Sequence, residues 1–111
     1  MTEKLDQFLV YLENERKAPP NTIISYRRDI SKLLDYLGER KIELENVDHT
    51  VLLEFLLTRH RRGLKKITIY REIASIKIFF KFCKLRFNLR SYTLMLKLLY
   101  LGFDIHFVGM I

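Results

Sequence analysis

Four stretches of the chain repeat their apolar residues at the spacing of an α-helix. In the first, Leu5, Phe8, Leu9 and Leu12 fall at i, i+3, i+4 and i+7, one stripe of a helix that Thr2 can cap and that runs to about Arg16. Pro19 and Pro20 end whatever precedes them, because a residue before proline avoids the α region. Proline is tolerated in a first helical turn, so a second helix starts at Pro20 or Asn21. Its stripe is Ile23, Tyr26, Ile30, Leu33, Leu34 and Leu37. Gly38 then stands where a left-handed terminating residue is wanted. After a polar loop over 39–47, Asp48 is a good N-cap, and Val47 with Leu52 forms a hydrophobic staple. The third helix turns Leu52, Phe55 and Leu56 inward and stops at Gly63. The fourth runs from about Lys66 to Lys84 on a seam of Ile69, Ile73, Ile76, Phe80 and Cys83, spaced 4, 3, 4, 3. The expected fold is all-α: a small bundle of four amphipathic helices with room for a short fifth.

Length and composition agree with that reading. A chain of 111 residues holds one domain, and 49% hydrophobic residues exclude disorder over most of it. Four glycines and two prolines are too few for a turn-rich β protein. A single cysteine, Cys83, excludes an internal disulfide framework and reads as a small buried apolar residue. No apolar h-region follows Met1, so a cytoplasmic protein is expected.

Charge changes the picture more. The net charge is +7, but residues 1–57 sum to −3 and residues 58–111 to +10. Basic charge gathered in one half points to a polyanionic partner. The outer side of the second helix shows Asn21, Ser25, Arg28 and Lys32. That of the fourth shows Tyr70, Arg71, Ala74, Lys77, Ile78 and Lys81. Lys65 and Lys66 stand at the start of the fourth helix, and Arg59, Arg61 and Arg62 end the third. Lys and Arg neutralise phosphates and release counterions, Arg forks onto guanine and Asn onto adenine, and small residues such as Ser25 and Ala74 permit close approach to a groove. A merely solvated basic face is the competing reading.

Catalytic chemistry finds little support. His49, His60 and His106 lack ligand-like spacing. No nucleophile elbow or phosphate loop occurs. The acid pairs Glu13/Glu15 and Glu43/Glu45 sit at i, i+2 and share no helical face. No cofactor, metal or small-molecule substrate is expected.

In three blocks, FLVYLENERKAPPNTIISYRRDISKLLDYLGE (8–39), ELENVDHTVLLEFLLTRHRRGLK (43–65) and TIYREIASIKIFFKFC (68–83), the chain resembles the N-terminal core-binding, SAM-like domain of tyrosine recombinases of the Xer and phage-integrase type. Thr22, Tyr26, Arg27, Arg28 and Asp29 stand where that family has them. The resemblance implies a helical bundle forming half of a clamp on double-stranded DNA. Its second and fourth helices face the groove, and Asn21, Thr22, Ser25, Tyr26, Arg28, Lys65, Lys66, Tyr70, Arg71, Lys77 and Lys81 include the contacts. Lys32 joins them from the outer stripe. Tyr26 also lies on the core stripe, so its ring is expected to pack with the hydroxyl toward the surface.

The family's nucleophilic tyrosine and its supporting residues belong to a later domain, and the resemblance stops at Leu85. The expected organisation is a DNA-binding domain over 1–85 and an apolar segment over 86–111 that is out of the family pattern. In that segment Asn88 and Tyr92 to Lys97 keep a trace of a fifth helix. The chain is expected to bind duplex DNA without cutting it, with other recombinase subunits as further partners. The alternative is a non-catalytic helical interaction module that modulates an intact recombinase. A membrane anchor fits poorly, because Lys97, Asp104 and His106 interrupt the apolar tail.

Overall fold

The computed structural model describes residues 2–88. The apolar segment 89–111, the trace of a fifth helix within it and His106 lie outside the described residues. Four helices are present: α1 (Thr2–Asn14), α2 (Pro20–Glu39), α3 (His49–Arg61) and α4 (Lys66–Phe87), with one 3₁₀ turn at Leu44–Asn46. Helix α4 packs against all three others, and α1 also lies against α2.

The predicted stripes form the core. Leu5, Phe8, Leu9 and Leu12 of α1, Ile30, Leu33, Leu34 and Leu37 of α2, Leu52, Phe55 and Leu56 of α3, and the whole α4 seam from Ile69 to Cys83 are buried. Ile23 and Tyr26, at the start of the α2 stripe, are only half-buried and pack on its edge. An aromatic cluster crosses the bundle. Phe8 meets Phe79 at 5.3 Å, Phe82 at 5.4 Å and Tyr26 at 5.7 Å between ring centroids. Tyr36 of α2 meets Phe55 of α3 edge-on at 5.2 Å. Leu44 and Val47 anchor the 3₁₀ turn in the core. Burial pushes the Cys83 thiol from 9.0 up to about 12, as for a buried apolar residue kept neutral.

The helix ends correct the expectations at four points. Helix α1 stops at Asn14 rather than near Arg16, and the chain turns through Lys17 at φ 50°, with the Ala18 N–H donating to Leu12 O at 2.9 Å. Gly38 does not terminate α2, which runs on to Glu39, and the left-handed residue is Lys41 at φ 57°. The reason lies in the core. The Ile42 N–H bonds back to Leu37 O at 2.9 Å and the Lys41 N–H to Gly38 O at 3.2 Å. This Schellman closure lets Ile42 follow Leu37 onto the apolar interior. Helix α4 extends past Lys84 to Phe87. Asn88 is its left-handed C-cap at φ 55° rather than part of a further helix, and its Oδ1 accepts from Lys84 Nζ at 3.3 Å. The start of α3 is as expected, with Asp48 Oδ1 accepting from the Val51 N–H at 3.0 Å and both staple residues, Val47 and Leu52, buried.

A left-handed lysine costs more than a left-handed glycine. Lys41→Gly is therefore expected to stabilise the domain by about 1 kcal/mol, read as a higher midpoint in urea with the same slope. An unchanged or lower midpoint would mean that the Lys41 side chain contributes more than its backbone costs.

Candidate nucleic-acid interface

Helices α2 and α4 lie side by side, and one polar cluster joins them. The carboxylate of Asp29 is fully buried between them. It accepts from Arg71 Nε at 3.0 Å and Nη2 at 2.8 Å, and from Ser75 Oγ at 2.8 Å. Burying a carboxylate is costly unless it is paired and hydrogen-bonded. Here a two-pronged guanidinium and a hydroxyl meet that condition. The bond from Asp29 raises the Arg71 pKa above its ordinary value, so Arg71 stays charged and held.

The outer stripes flank this cluster. On α2, Asn21 and Arg28 are exposed, while Thr22, Ser25 and Lys32 are half-buried. At 100° per residue, Ser25 and Lys32 lie one turn either side of Asp29, on the α4 side of the helix. Arg28 Nε stands 4.0 Å from Asp29 Oδ1. On α4, Lys66, Ala74 and Lys81 are exposed, and Tyr70, Lys77 and Ile78 are half-buried. Lys65, the N-cap, is exposed as well. Lys66 and Lys81 are roughly 22 Å apart along the axis. The side chain of Arg71 is 41% exposed, at the border between the α4 stripe and α2.

Tyr26 stands apart from this face. Its ring turns toward α1 and meets Phe8 at 88°. Burial raises its hydroxyl pKa, while nearby Arg16 pulls the other way. The ring packs as expected, but the side chain belongs to the α1–α2 seam.

Arg59 requires a second correction. The sequence places it with Arg61 and Arg62 in a basic run at the end of the third helix. The structure pairs it with Glu72 inside the protein. Arg59 Nε donates to Glu72 Oε1 at 3.1 Å and to Oε2 at 3.0 Å, with side-chain exposures of 9% and 0%. Arg59 therefore adds no charge to an outer face, and Glu72 removes none.

The helix starts differ in a way that bears on anions. Asp48 caps α3, but α2 and α4 have no side-chain cap and no acid in the first turn. Helix α4 opens instead on Lys65 and Lys66, cations set against the positive end of its dipole. Asp29 and Ser75 belong to the site although neither carries a role in the sequence pattern. A carboxylate one turn from both Ser25 and Lys32 was the available signal, but a partner 42 residues away leaves no mark in local spacing.

Among the described residues no helix is long and apolar enough to cross a membrane.

Comparison with known proteins places this architecture. Residues 5–86 match the family described as phage integrase, N-terminal SAM-like domain. Among curated relatives, the tyrosine recombinase XerC of Roseiflexus sp. (strain RS-1) is 34% identical over 83 residues, covering 74% of this chain and 26% of that protein. The tyrosine recombinase XerC of Herpetosiphon aurantiacus is 39% identical over 83 residues, covering 74% and 27%. The chain thus spans about a quarter of the length of these relatives. No solved structure matches it at comparable significance. With four helices in the described residues and a match that runs from α1 to the last turn of α4, the chain belongs to the phage-integrase N-terminal SAM-like domain family.

Proposed function

We propose that this chain is the DNA-binding N-terminal domain of a site-specific tyrosine recombinase, gripping duplex DNA as half of a clamp. Asn21, Thr22, Ser25, Arg28 and Lys32 of α2 and Lys65, Lys66, Tyr70, Lys77 and Lys81 on α4 and its N-cap form the contacting face. Strand cleavage, the work of a nucleophilic tyrosine, is assigned to a part of the recombinase outside residues 5–86. Other recombinase subunits are its protein partners.

The observation that carries this reading is the basic stripe of α4 beside α2, two helices whose N-termini carry no acid, in a chain of this family. Phosphates supply the charge that those helix ends lack. Lys65, Lys66 and Lys81 stand exposed along the stripe.

Fluorescence anisotropy on a labelled 30-bp duplex, titrated at several salt concentrations, tests it. Binding is expected at about 10⁻⁴–10⁻⁶ M at physiological salt. Each lost phosphate contact flattens the plot of log affinity against log salt by about 0.9. The triple variant Lys65→Gln, Lys66→Gln, Lys81→Gln is expected to lose about 2.7 units of slope. Lys17→Gln, Arg27→Gln, Lys41→Gln removes the same charge from exposed positions off this face and is expected to lose far less. Equal losses would mean attraction by net charge alone, without a defined face.

A second reading, a module that modulates an intact recombinase, is favoured by the trough of about 520 Å³ between α1 and α4, walled by Tyr11, Ile78, Phe82 and Leu85 and rimmed by Glu15, Arg16, Lys81 and Arg86. Leu85 is 78% exposed there. Slopes that fail to respond to either triple variant, together with co-elution with an intact recombinase, would favour it.

A further inference from the structure

We propose that Arg71 reads a guanine in the major groove rather than neutralising a phosphate, and that Asp29 is the positioning residue that aims it. The inference rests on the DNA-binding reading above and goes beyond it by giving one residue a base-specific role.

The argument begins with which hydrogens are engaged. A guanidinium has five N–H donors in a plane. Asp29 takes the Nε hydrogen and one on Nη2. The two Nη1 hydrogens and the second Nη2 hydrogen remain in the same plane, on the edges turned away from Asp29. The outer edge carries two parallel donors, the pattern that fits guanine N7 and O6 together. Adenine offers an acceptor at N7 but a donor at N6, so it takes only one of the two bonds.

Charge points the same way. A phosphate contact is worth its counterion release. The charge of Arg71 is already matched by a fully buried carboxylate 2.8 Å away. Its contribution to salt-dependent binding is correspondingly small, while its directional donors are intact. Lys65, Lys66 and Lys81 have no such partner described and suit the phosphate role.

Rigidity completes the case. An arginine free in solution loses side-chain entropy when it is ordered on a base. Arg71 is held in advance, because Asp29 cannot swing away. Its Oδ2 also accepts at 2.8 Å from Ser75 Oγ, whose single hydrogen is shared with Arg71 O at 3.1 Å. Two neighbouring positions are small, with Ala74 exposed one turn on and Ser25 on the facing side of α2, while Ile67 stands exposed one turn before. A groove floor can therefore reach the 41%-exposed Arg71 side chain.

The test is selection by the full chain from a library of 30-bp duplexes with randomised centres, together with the salt titration. The wild type is expected to enrich guanine at one position by about tenfold. Arg71→Lys keeps the charge and loses the fork. It is expected to abolish the enrichment and leave the salt slope in place. Asp29→Asn releases the arginine from its aim, so the enrichment is expected to fall while the slope holds or steepens. Ser75→Ala gives a smaller loss in the same direction. If Asp29→Asn fails to fold, as judged by its thermal transition, Arg71→Lys decides alone.

Absence of guanine enrichment in the wild type overturns the inference, as does enrichment that survives Arg71→Lys. A full unit of slope lost in Arg71→Gln, with an unaltered base profile, makes Arg71 a phosphate contact and also overturns it. These failures are distinct from failure of the broader reading, which shows as a salt slope insensitive to Lys65, Lys66 and Lys81.

Discussion

Glu72→Ala is expected to lower the stability of the domain by about 3–5 kcal/mol, the cost of leaving a buried charge without its partner. Glu72 is fully buried, and the side chain of Arg59 is 9% exposed. Both carboxylate oxygens receive the same Nε–H, at 3.1 and 3.0 Å, and Arg59 Nη2 is buried with no hydrogen-bond partner among the described residues. Without Glu72 the guanidinium keeps a full charge between α3 and α4 and has nowhere to place it. A double variant, Arg59→Met with Glu72→Leu, is expected to recover most of the loss, since well-packed apolar residues replace a buried pair at little net cost. Urea melts of the wild type, the single variant and the double variant check this. A loss under about 1 kcal/mol in Glu72→Ala would mean that Arg59 escapes to solvent and that the pair does not hold α3 to α4.

Phe8→Ala is the second large effect, also about 3–5 kcal/mol. Phe8 has no exposed surface. It meets Tyr26 of α2 and both Phe79 and Phe82 of α4, with centroids 5.3–5.7 Å away. Edge-on and tilted ring pairs add to what burial alone supplies. Removing the ring opens a cavity where three helices meet, and rigid neighbours on two helices cannot both collapse into it. Domains of this size are stable by about 5–15 kcal/mol, so the variant is expected to sit near its unfolding threshold at 37 °C. Phe8→Leu keeps most of the volume and is expected to cost about 1.5 kcal/mol or less. Equal costs for the two would show that the ring itself contributes nothing beyond bulk.

Both predictions bear on function through the placement of α2 and α4. Phe8 sets α1 against the pair, and Glu72 fixes the end of α3 against the first half of α4. Loosening either would shift α4 against α2 and so disturb the Asp29–Arg71 pairing between them. Base preference should then fail before the salt-dependent attraction does, because steering by charge tolerates small displacements that a forked hydrogen bond does not.

Much of this protein was legible before its structure. The 3.6-residue period of apolar side chains is a property of each segment alone, so Leu5 to Leu12, Ile30 to Leu37 and Ile69 to Cys83 announce their helices and their buried faces. Capping is equally local, and Asp48 marks the start of α3 because its carboxylate reaches an N–H only three residues on. The family likeness follows from the order of these same blocks. Local signals failed where a distant contact competed with them. Gly38 has the freedom to end α2, but Ile42 gains more by reaching the core, so the left-handed turn falls on Lys41. The charges were least legible. A wheel shows which side of a helix a residue occupies, not which helix lies opposite. Arg59 and Arg71 therefore read as surface cations alongside Lys65 and Lys81, and nothing local marks Glu72 and Asp29 as their partners. Packing brings Glu72 to Arg59 across 13 residues and Arg71 to Asp29 across 42. Low-dielectric burial then turns these four charges into fixed pairs. Local spacing is enough to place the helices and the core stripes, and composition to show an excess of basic charge. Which of those charges are taken up inside the protein depends on the packing of distant helices, because a charge is neutralised by what stands within about 3 Å of it.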